Sequence, residues 1–299
     1  MISTHVISVV IALLGNISPA QADSFDAGAC RANLAAHIQV EGQPVPSAKI
    51  VQTFQAVFDL YPVPVQKLMC KIDGFMIEQH FDSSASTCGM GCSHINIRKG
   101  LFDRDLNMDE WTSWKDQLNF GAKNDNQFKL ESDLPVVRTD GQLSFLYFLL
   151  IHELGHTVER TNAELNEWAA LSSDEKNKFP GKENLCSYWC HTSPIARARA
   201  ASMYENLFAH TDFLSMYAAR LEEEDFADSF AFYVMIEVMK HTYEVRMPGG
   251  TVYDVGAKLH SPVFEKKLRL LAQIYGEVGN GFKTRGRRGD IPATLLQGD

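Results

Sequence analysis

The chain has 299 residues, of which 45% are hydrophobic and 22% are charged, and its formal net charge at pH 7 is −9. These proportions are typical of a folded globular protein and exclude a collagen-like, coiled-coil or largely disordered chain. Because nucleic-acid binding needs a basic surface, the acidic balance also argues against a nucleic-acid partner.

The N-terminal segment indicates export. A short apolar run over residues 6–14 is followed by Ala20-Gln21-Ala22, a small-x-small pattern that signal peptidases cleave, so we expect a signal peptide over residues 1–22. The run is too short for a permanent membrane anchor. We therefore expect a protein without a stable membrane anchor, periplasmic or secreted, with one domain over residues 23–282 and a flexible tail over residues 283–299.

The predicted elements of the mature chain describe an α+β protein, with strands mainly in the first half and helices in the second. A helix is predicted over residues 47–60, and two strands over 75–81 and 95–102 are expected to be joined through a turn at Cys88 to Cys92. Residues 109–133 are expected to be irregular, with a short helical piece over 111–118. Three helices follow, over 143–160, 214–240 and 262–275, and the first of them is expected to be capped by Thr139.

The six cysteines all follow the predicted cleavage site, and their even number favours disulfides in an oxidising compartment. We expect three pairs, of which two close short loops: Cys88 with Cys92, Cys186 with Cys190, and Cys30 with Cys70. The alternative is a four-cysteine zinc site formed by the two CxxxC pairs.

The helix predicted over residues 143–160 contains an HExxH pattern, formed by His152, Glu153 and His156. Residues four apart lie on the same face of a helix, so both imidazoles can reach one metal ion. Neutral imidazole is a good zinc ligand, and the adjacent Glu153 can take a proton from water. The preceding residues 143–151 are almost wholly apolar, which predicts a buried helix in which unbound polar side chains would be costly. The alternative is a pair of surface histidines on an amphipathic helix.

The third ligand decides the class of metal site. A metzincin would continue with glycine at position 159 and histidine at position 162, where this chain has Glu159 and Asn162. Glu224 and Asp228 lie four apart on a later predicted helix, so the first carboxylate can bind a metal while the second accepts the free N–H of a ligating histidine. The alternative ligands are Glu223, Asp225 and Glu159. A solvated run of charged residues is the alternative to any site there.

The pattern His152-Glu153-x-x-His156 followed by Glu224-x-x-x-Asp228 resembles the gluzincin branch of the zincin metallopeptidases, and residues 224–231 are similar to small exported bacterial metallopeptidases. This resemblance implies one Zn²⁺ per chain, bound by His152, His156 and Glu224, with Glu153 as general base and Asp228 orienting His152. It also implies a zincin-like fold, in which a small twisted sheet covers the HExxH helix and a mainly helical C-terminal half follows, with the substrate cleft between them.

The resemblance implies two further features of the cleft. An edge strand would bind extended peptide by strand addition, and residues 95–99 are the candidate. A tyrosine or histidine would stabilise the oxyanion. The available residues are Tyr217, Tyr233, His241, Tyr243, Tyr253 and His260. We favour Tyr253 and His260, which lie on a glycine-bounded stretch after the second motif helix.

The leading functional hypothesis is an exported zinc endopeptidase that hydrolyses peptide bonds of a protein or peptide substrate. One alternative is a zinc amidase or peptidase that acts on peptidoglycan, which a deep polar cleft without an edge strand would favour. The other is a catalytically silent binding protein on a zincin fold. The long segment between His156 and Glu224 includes Cys186 and Cys190, which would pin a flap, and it leaves the substrate preference open. The oligomeric state is not predicted.

Overall fold

The computed structural model describes residues 25–79, 83–87, 94–159, 165–172 and 194–279. The predicted signal peptide (residues 1–22), the predicted tail (residues 283–299) and the cysteines at 88, 92, 186 and 190 lie outside these residues. Helices and strands are both present, in agreement with the predicted α+β class.

Within the described residues the helices are α1 (Ala27–His37), α2 (Ala48–Leu60), α3 (Val63–Met69), α4 (Met108–Leu118), α5 (Phe145–Glu159), α6 (Leu165–Ser172), α7 (Ala200–His210), α8 (Glu222–Phe232), α9 (Val255–Leu259) and α10 (Glu265–Gly279). The strands are β1 (Ile38–Val40), β2 (Gly74–Glu78), β3 (Ala85–Thr87), β4 (His94–Arg98), β5 (Val136–Thr139), β6 (Tyr243–Arg246) and β7 (Val252–Asp254).

The first sheet has the strand order β1-β2-β4-β3. β1, β2 and β4 run parallel, whereas β3 is antiparallel to β4. β2 and β4 correspond to the two predicted strands, but they are not joined directly, because β3 lies between them in the chain. The prediction that residues 95–99 form an edge strand is wrong: β4 pairs with β2 on one side and with β3 on the other. Among the described residues the edge on that side is β3, which is only three residues long and too polar to be recognised by an apolar alternation.

The helix α5 lies in the hydrophobic core and packs against several other elements. Its residues from Phe145 to Ile151 are all buried, as the apolar run predicted. It contacts β3 of the first sheet and the helices α2, α3, α4 and α8. The contact with α8 is close because Gly155 has no side chain: a Cβ atom there would lie 2.9 Å from the Cα of Ala227. This close crossing places the first turn of α8 beside the middle of α5.

Other boundaries differ from the predictions. Thr139 does not cap α5 but lies in β5, where it pairs with Tyr243 and its hydroxyl donates to Asp109. The helix predicted over 214–240 begins only at Glu222, and it continues beyond Phe232 as a π-helix over Tyr233–Val238. The second half is not only helical, because β5, β6 and β7 form a three-stranded antiparallel sheet.

The predicted disulfide between Cys30 and Cys70 is present and joins α1 to the end of α3, with 5.9 Å between the two Cα atoms. It closes a loop that contains β1 and α2, which contribute buried residues to the core. Among the described residues, we find no helix with the length and apolar character needed to cross a membrane.

Candidate metal centre

Two helices bring three potential metal ligands together. His152 and His156 lie one turn apart on α5, and Glu224 lies in the first turn of α8. Glu224 Oε2 is 3.2 Å from His152 Nε2 and 3.4 Å from His156 Nε2. One ligand atom from each of the three residues lies within 4.8 Å of the other two. The group predicted from the sequence could therefore hold a metal ion.

The orientation of these atoms fits a cation better than it fits direct pairing. Glu224 Oε2 is buried and has no hydrogen-bond partner, although two imidazole nitrogens lie within 3.4 Å of it. Both distances are within hydrogen-bonding range, but a neutral His152 that donates through Nδ1 to Asp228 has no proton on Nε2 to donate to Glu224. A buried carboxylate oxygen without a hydrogen bond is costly, and a cation bound by all three atoms would compensate that cost. Two imidazole nitrogens and one carboxylate oxygen also form a donor set that catalytic zinc sites use.

The charges of the site are mutually stabilising. Burial acts to raise the pKa of Glu224, but the two imidazoles outweigh burial and hold this pKa well below its ordinary value. Burial acts to lower the pKa of His152, yet Asp228 and Glu224 leave it raised. The pKa of Asp228 is lowered despite burial, chiefly by His152. Because ligating imidazoles must be neutral, a cation that binds here takes the place of the proton that these carboxylates favour on His152.

Asp228 lies behind His152, where the sequence analysis expected it. Its Oδ1 atom is 2.7 Å from His152 Nδ1, and the hydroxyl of Ser215 donates to its other oxygen, Oδ2. With the carboxylate as acceptor, Nδ1 carries the proton and the lone pair of Nε2 faces Glu224. Ser215 is in turn fixed, because its oxygen accepts the backbone N–H of Ala218 at 2.8 Å.

Glu153 lies beside the first histidine and contacts the edge strand of the first sheet. Glu153 is only 3% exposed, so its carboxylate is buried beside His152. The hydroxyl of Thr87, the last residue of β3, is 2.7 Å from Glu153 Oε2 and 3.1 Å from the backbone carbonyl oxygen of Glu153. The position of this carboxylate is therefore tied to the first sheet.

The segment that precedes α8 supplies the aromatic side chain of Tyr217, which contacts two cations, Lys115 of α4 and Arg220. The ring of Tyr217 lies 5.7 Å from the ring of His152, centroid to centroid. The ammonium of Lys115 is 3.6 Å from the centroid of Tyr217, a cation–π geometry. Arg220 Nη1 donates to the Tyr217 hydroxyl at 3.3 Å and lies 3.7 Å from Glu224 Oε1. Burial, followed by the charge of Glu224, raises the pKa of Tyr217 well above its ordinary value, so this hydroxyl keeps its proton.

The favoured oxyanion candidates make other contacts. Tyr253 packs against Tyr204 and Phe208, with ring centroids 5.9 and 4.8 Å apart. His260 Nε2 lies 2.6 Å from Glu237 Oε1, and the His260 side chain is 59% exposed. Neither contact involves the two motif histidines or Glu224, whereas Tyr217 packs against His152.

Two of the three alternative ligands, Asp225 and Glu223, do not face the two histidines. Asp225 is fully buried and contacts Lys267 Nζ at 2.5 Å and the hydroxyl of Ser172, so it faces away from the two histidines. Glu223 is exposed at the start of α8. The backbone of Glu159 ends α5, and its side chain lies outside the described part of the chain.

Sequence reasoning missed three contacts of the site. Arg220 precedes Glu224 by four residues, a spacing from which an ion pair could have been expected. Ser215 and Thr87 carry no such signal, because each reaches its carboxylate only through the folding of irregular chain or of a three-residue strand.

Comparisons with protein-family models, with curated proteins and with solved structures give no match.

Proposed function

We propose that this chain is an exported, zinc-dependent endopeptidase of gluzincin type. One observation carries the proposal: two imidazole nitrogens of α5 and a hydrogen-bond-free carboxylate oxygen of α8 converge, with Asp228 behind the first imidazole. Catalytic zinc sites use three protein ligands of this kind and leave a further position open for water or substrate.

The donor set favours zinc among the common metal ions. Calcium and magnesium prefer oxygen ligands, and magnesium in particular requires octahedral geometry. Imidazole suits zinc and other first-row transition metals, and the two-histidine, one-glutamate combination is a recurrent catalytic zinc set. When bound, zinc supplies a Lewis acid that polarises the substrate carbonyl and acidifies water.

The residues of the chain have separate tasks in this proposal. His152, His156 and Glu224 hold the cation, and Asp228 keeps the proton on His152 Nδ1 so that Nε2 can ligate. Glu153 accepts a proton from the attacking water and delivers it to the departing amine. A general base must lie within hydrogen-bonding reach of the proton it takes, and Glu153 directly follows His152, inside the helical turn that begins and ends with the two ligating histidines.

We assign stabilisation of the oxyanion to Tyr217, in place of Tyr253 or His260. Its ring packs against His152, and its hydroxyl keeps its proton because burial and the charge of Glu224 oppose ionisation. A neutral hydroxyl beside the cation site can donate a hydrogen bond to charge that develops on the substrate carbonyl oxygen.

Two observations favour an extended peptide as substrate and an extracytoplasmic location. β3 is an edge strand within the described part of the sheet and contacts α5 through Thr87 and Glu153, so a peptide that adds to β3 would lie beside the catalytic helix. The disulfide between Cys30 and Cys70 is a feature of oxidising compartments. The edge strand makes a protein or peptide substrate a better fit than a peptidoglycan cross-link.

The first experiment measures metal content of the purified, disulfide-intact protein by elemental analysis, followed by hydrolysis of casein and of a mixture of fluorogenic peptides. We expect one zinc ion per chain and cleavage within the peptides. Glu153→Gln should retain zinc and lower kcat by a factor of about 10²–10⁴. Glu224→Ala should lose zinc, whereas Glu223→Ala, one residue away on the exposed face, should keep both zinc and activity.

Other results of these measurements would favour one of the alternatives or reject the metal centre. Two zinc ions per chain would restore the four-cysteine site, and no uptake on adding zinc would reject the proposed centre. Zinc without peptide hydrolysis, but with release of fragments from peptidoglycan, would select the amidase alternative. Zinc binding with no turnover of any substrate would select the catalytically silent binding protein.

A further inference from the structure

The contact between Thr87 and Glu153 joins the edge strand of the sheet to the proposed general base. The Thr87 hydroxyl lies 2.7 Å from Glu153 Oε2 and 3.1 Å from the Glu153 carbonyl oxygen. A hydroxyl has one proton to donate, and both partners are acceptors. The shorter distance and the negative charge favour the carboxylate, because hydrogen bonds to ionised acceptors are shorter and stronger than those to neutral ones.

The hydrogen bond makes the two oxygens of Glu153 inequivalent. Oε2 is held by Thr87, so Oε1 is the oxygen that can turn towards the proton of a water molecule. A glutamate side chain has three rotatable bonds, and fixing one oxygen removes much of that freedom before the reaction begins.

The position of the Thr87 hydroxyl is itself determined by the sheet. Thr87 pairs with Ile95 of β4 in an antiparallel register, and β-branched side chains have few rotamers. The side chain of Ser86, the preceding residue, points to the opposite face, because successive side chains of a strand alternate. The strand therefore presents one hydroxyl to α5, and that hydroxyl reaches Glu153.

We propose that Thr87 is a positioning residue for Glu153, and that through it the strand along which a peptide would bind also orients the general base. The inference rests on the proposed hydrolytic function, since it assigns a partner to the base of that reaction. It requires that the hydroxyl, rather than the volume of the side chain, be what matters.

The test compares Thr87→Val, which keeps the shape and removes the hydroxyl, with Thr87→Ser, which keeps the hydroxyl. Ser86→Ala is the matched control for general disturbance of β3. We expect Thr87→Val to lower kcat by about 10- to 100-fold, part of the contribution of a general base, with KM and zinc content unchanged. Thr87→Ser and Ser86→Ala should remain within about threefold of wild type, a change smaller than one neutral hydrogen bond contributes.

A second readout does not depend on turnover. Cobalt-substituted protein is titrated with acetohydroxamate, which chelates the metal and donates a proton to a neighbouring carboxylate, and with azide, which has no proton to donate. Thr87→Val should weaken acetohydroxamate about tenfold, the equivalent of one charge-assisted hydrogen bond, and leave azide unchanged. In a Glu153→Gln background, Thr87→Val should have no further effect on acetohydroxamate.

The outcomes separate this inference from the proposed function. Wild-type kcat and acetohydroxamate affinity in Thr87→Val would overturn it, and so would an equal loss in Ser86→Ala. If the protein binds metal but hydrolyses no peptide, the proposed function fails while the acetohydroxamate titrations still decide the role of Thr87. Absence of metal uptake would overturn both. If Thr87→Val does not fold, Thr87→Ala takes its place and is compared with Thr87→Ser, from which it differs only by the hydroxyl.

Discussion

Gly155 determines how closely the two ligand-bearing helices approach, and Gly155→Ala perturbs the site without replacing any of the ligand residues. A Cβ atom at this position would lie 2.9 Å from the Cα and 3.3 Å from the carbonyl oxygen of Ala227. Both are backbone atoms, so no side-chain rotation can relieve the contact. Carbon atoms pack at about 3.5–4.0 Å, and the helices must therefore separate by about 0.6 Å or more.

The consequence for the metal centre follows from the position of Ala227. This residue lies one turn after Glu224 and directly before Asp228 on α8, so a displacement of α8 at Ala227 carries both carboxylates away from the histidines of α5. Metal–ligand distances are tolerated within about 0.2 Å, less than the required shift. We expect the zinc affinity of Gly155→Ala to fall at least tenfold, or about 1.4 kcal/mol.

The change in folding stability is expected to be moderate. Overpacking of a close contact costs about 1–3 kcal/mol, of which about 0.4–1 kcal/mol is offset because alanine restricts the unfolded chain more than glycine does. Gly276→Ala is the matched control: Gly276 lies in α10, and a Cβ atom there would have no neighbour within 4 Å. We expect it to stabilise the protein slightly and to leave zinc affinity unchanged.

The assays are urea unfolding in the presence of a chelator, for stability without metal, and competition with a chromophoric chelator, for zinc affinity. Gly155→Ala with wild-type zinc affinity would refute the reasoning, because the ligand geometry would then not depend on the spacing of α5 and α8. A loss of zinc affinity in Gly276→Ala as well would show that the measurement reports a general effect of the substitution.

Three further predictions concern single side chains. Tyr217→Phe should keep zinc and lower kcat by about 10²–10³-fold at unchanged KM, the effect of removing one oxyanion donor; steady-state kinetics that match wild type would remove the hydroxyl from the reaction. Asp228→Asn should weaken zinc binding by about 10- to 100-fold, because the neutral amide oxygen is a weaker acceptor for His152 Nδ1–H than the carboxylate; chelator competition measures this, and unchanged affinity would contradict it. Burial lowers the pKa of Lys258 to about 7, so the unfolded chain binds more protons than the folded one between about pH 7 and 10. Stability in urea should therefore rise with pH across this range, and Lys258→Met should flatten the rise.

The site residues that could be predicted from the sequence are those whose relative positions follow from helical periodicity. The spacing of His152 and His156 places both on one face of α5 whatever the rest of the chain does, and the same spacing relates Glu224 to Asp228. Thr87 could not be found in this way, because its approach to Glu153 depends on the pairing of β3 with β4.

The fold was predictable to a similar extent. The apolar run of α5 marked a buried helix, and the class was correct. The second sheet was missed because its strands are three or four residues long and β5 pairs with β6 across more than 100 residues of chain. The edge strand was wrongly placed at residues 95–99, because the side-chain pattern of a strand reports which face of the sheet is buried and not whether the strand has a neighbour on each side.

Contacts on the side of α8 that faces away from α5 determine which of Glu224 and Asp225 can be the third ligand. Consecutive residues of a helix point about 100° apart, so only one of the two can face α5. Asp225 contacts Lys267 at 2.5 Å, and Lys267 also contacts Asp212 at 2.6 Å, with all three side chains at most 1% exposed. Turning α8 to present Asp225 to the histidines would separate the buried Lys267 ammonium from one of its two carboxylates, and such a loss is destabilising in the core. Lys267 therefore fixes the rotation of α8, as Gly155 fixes its distance from α5, and together they direct Glu224 to the two histidines.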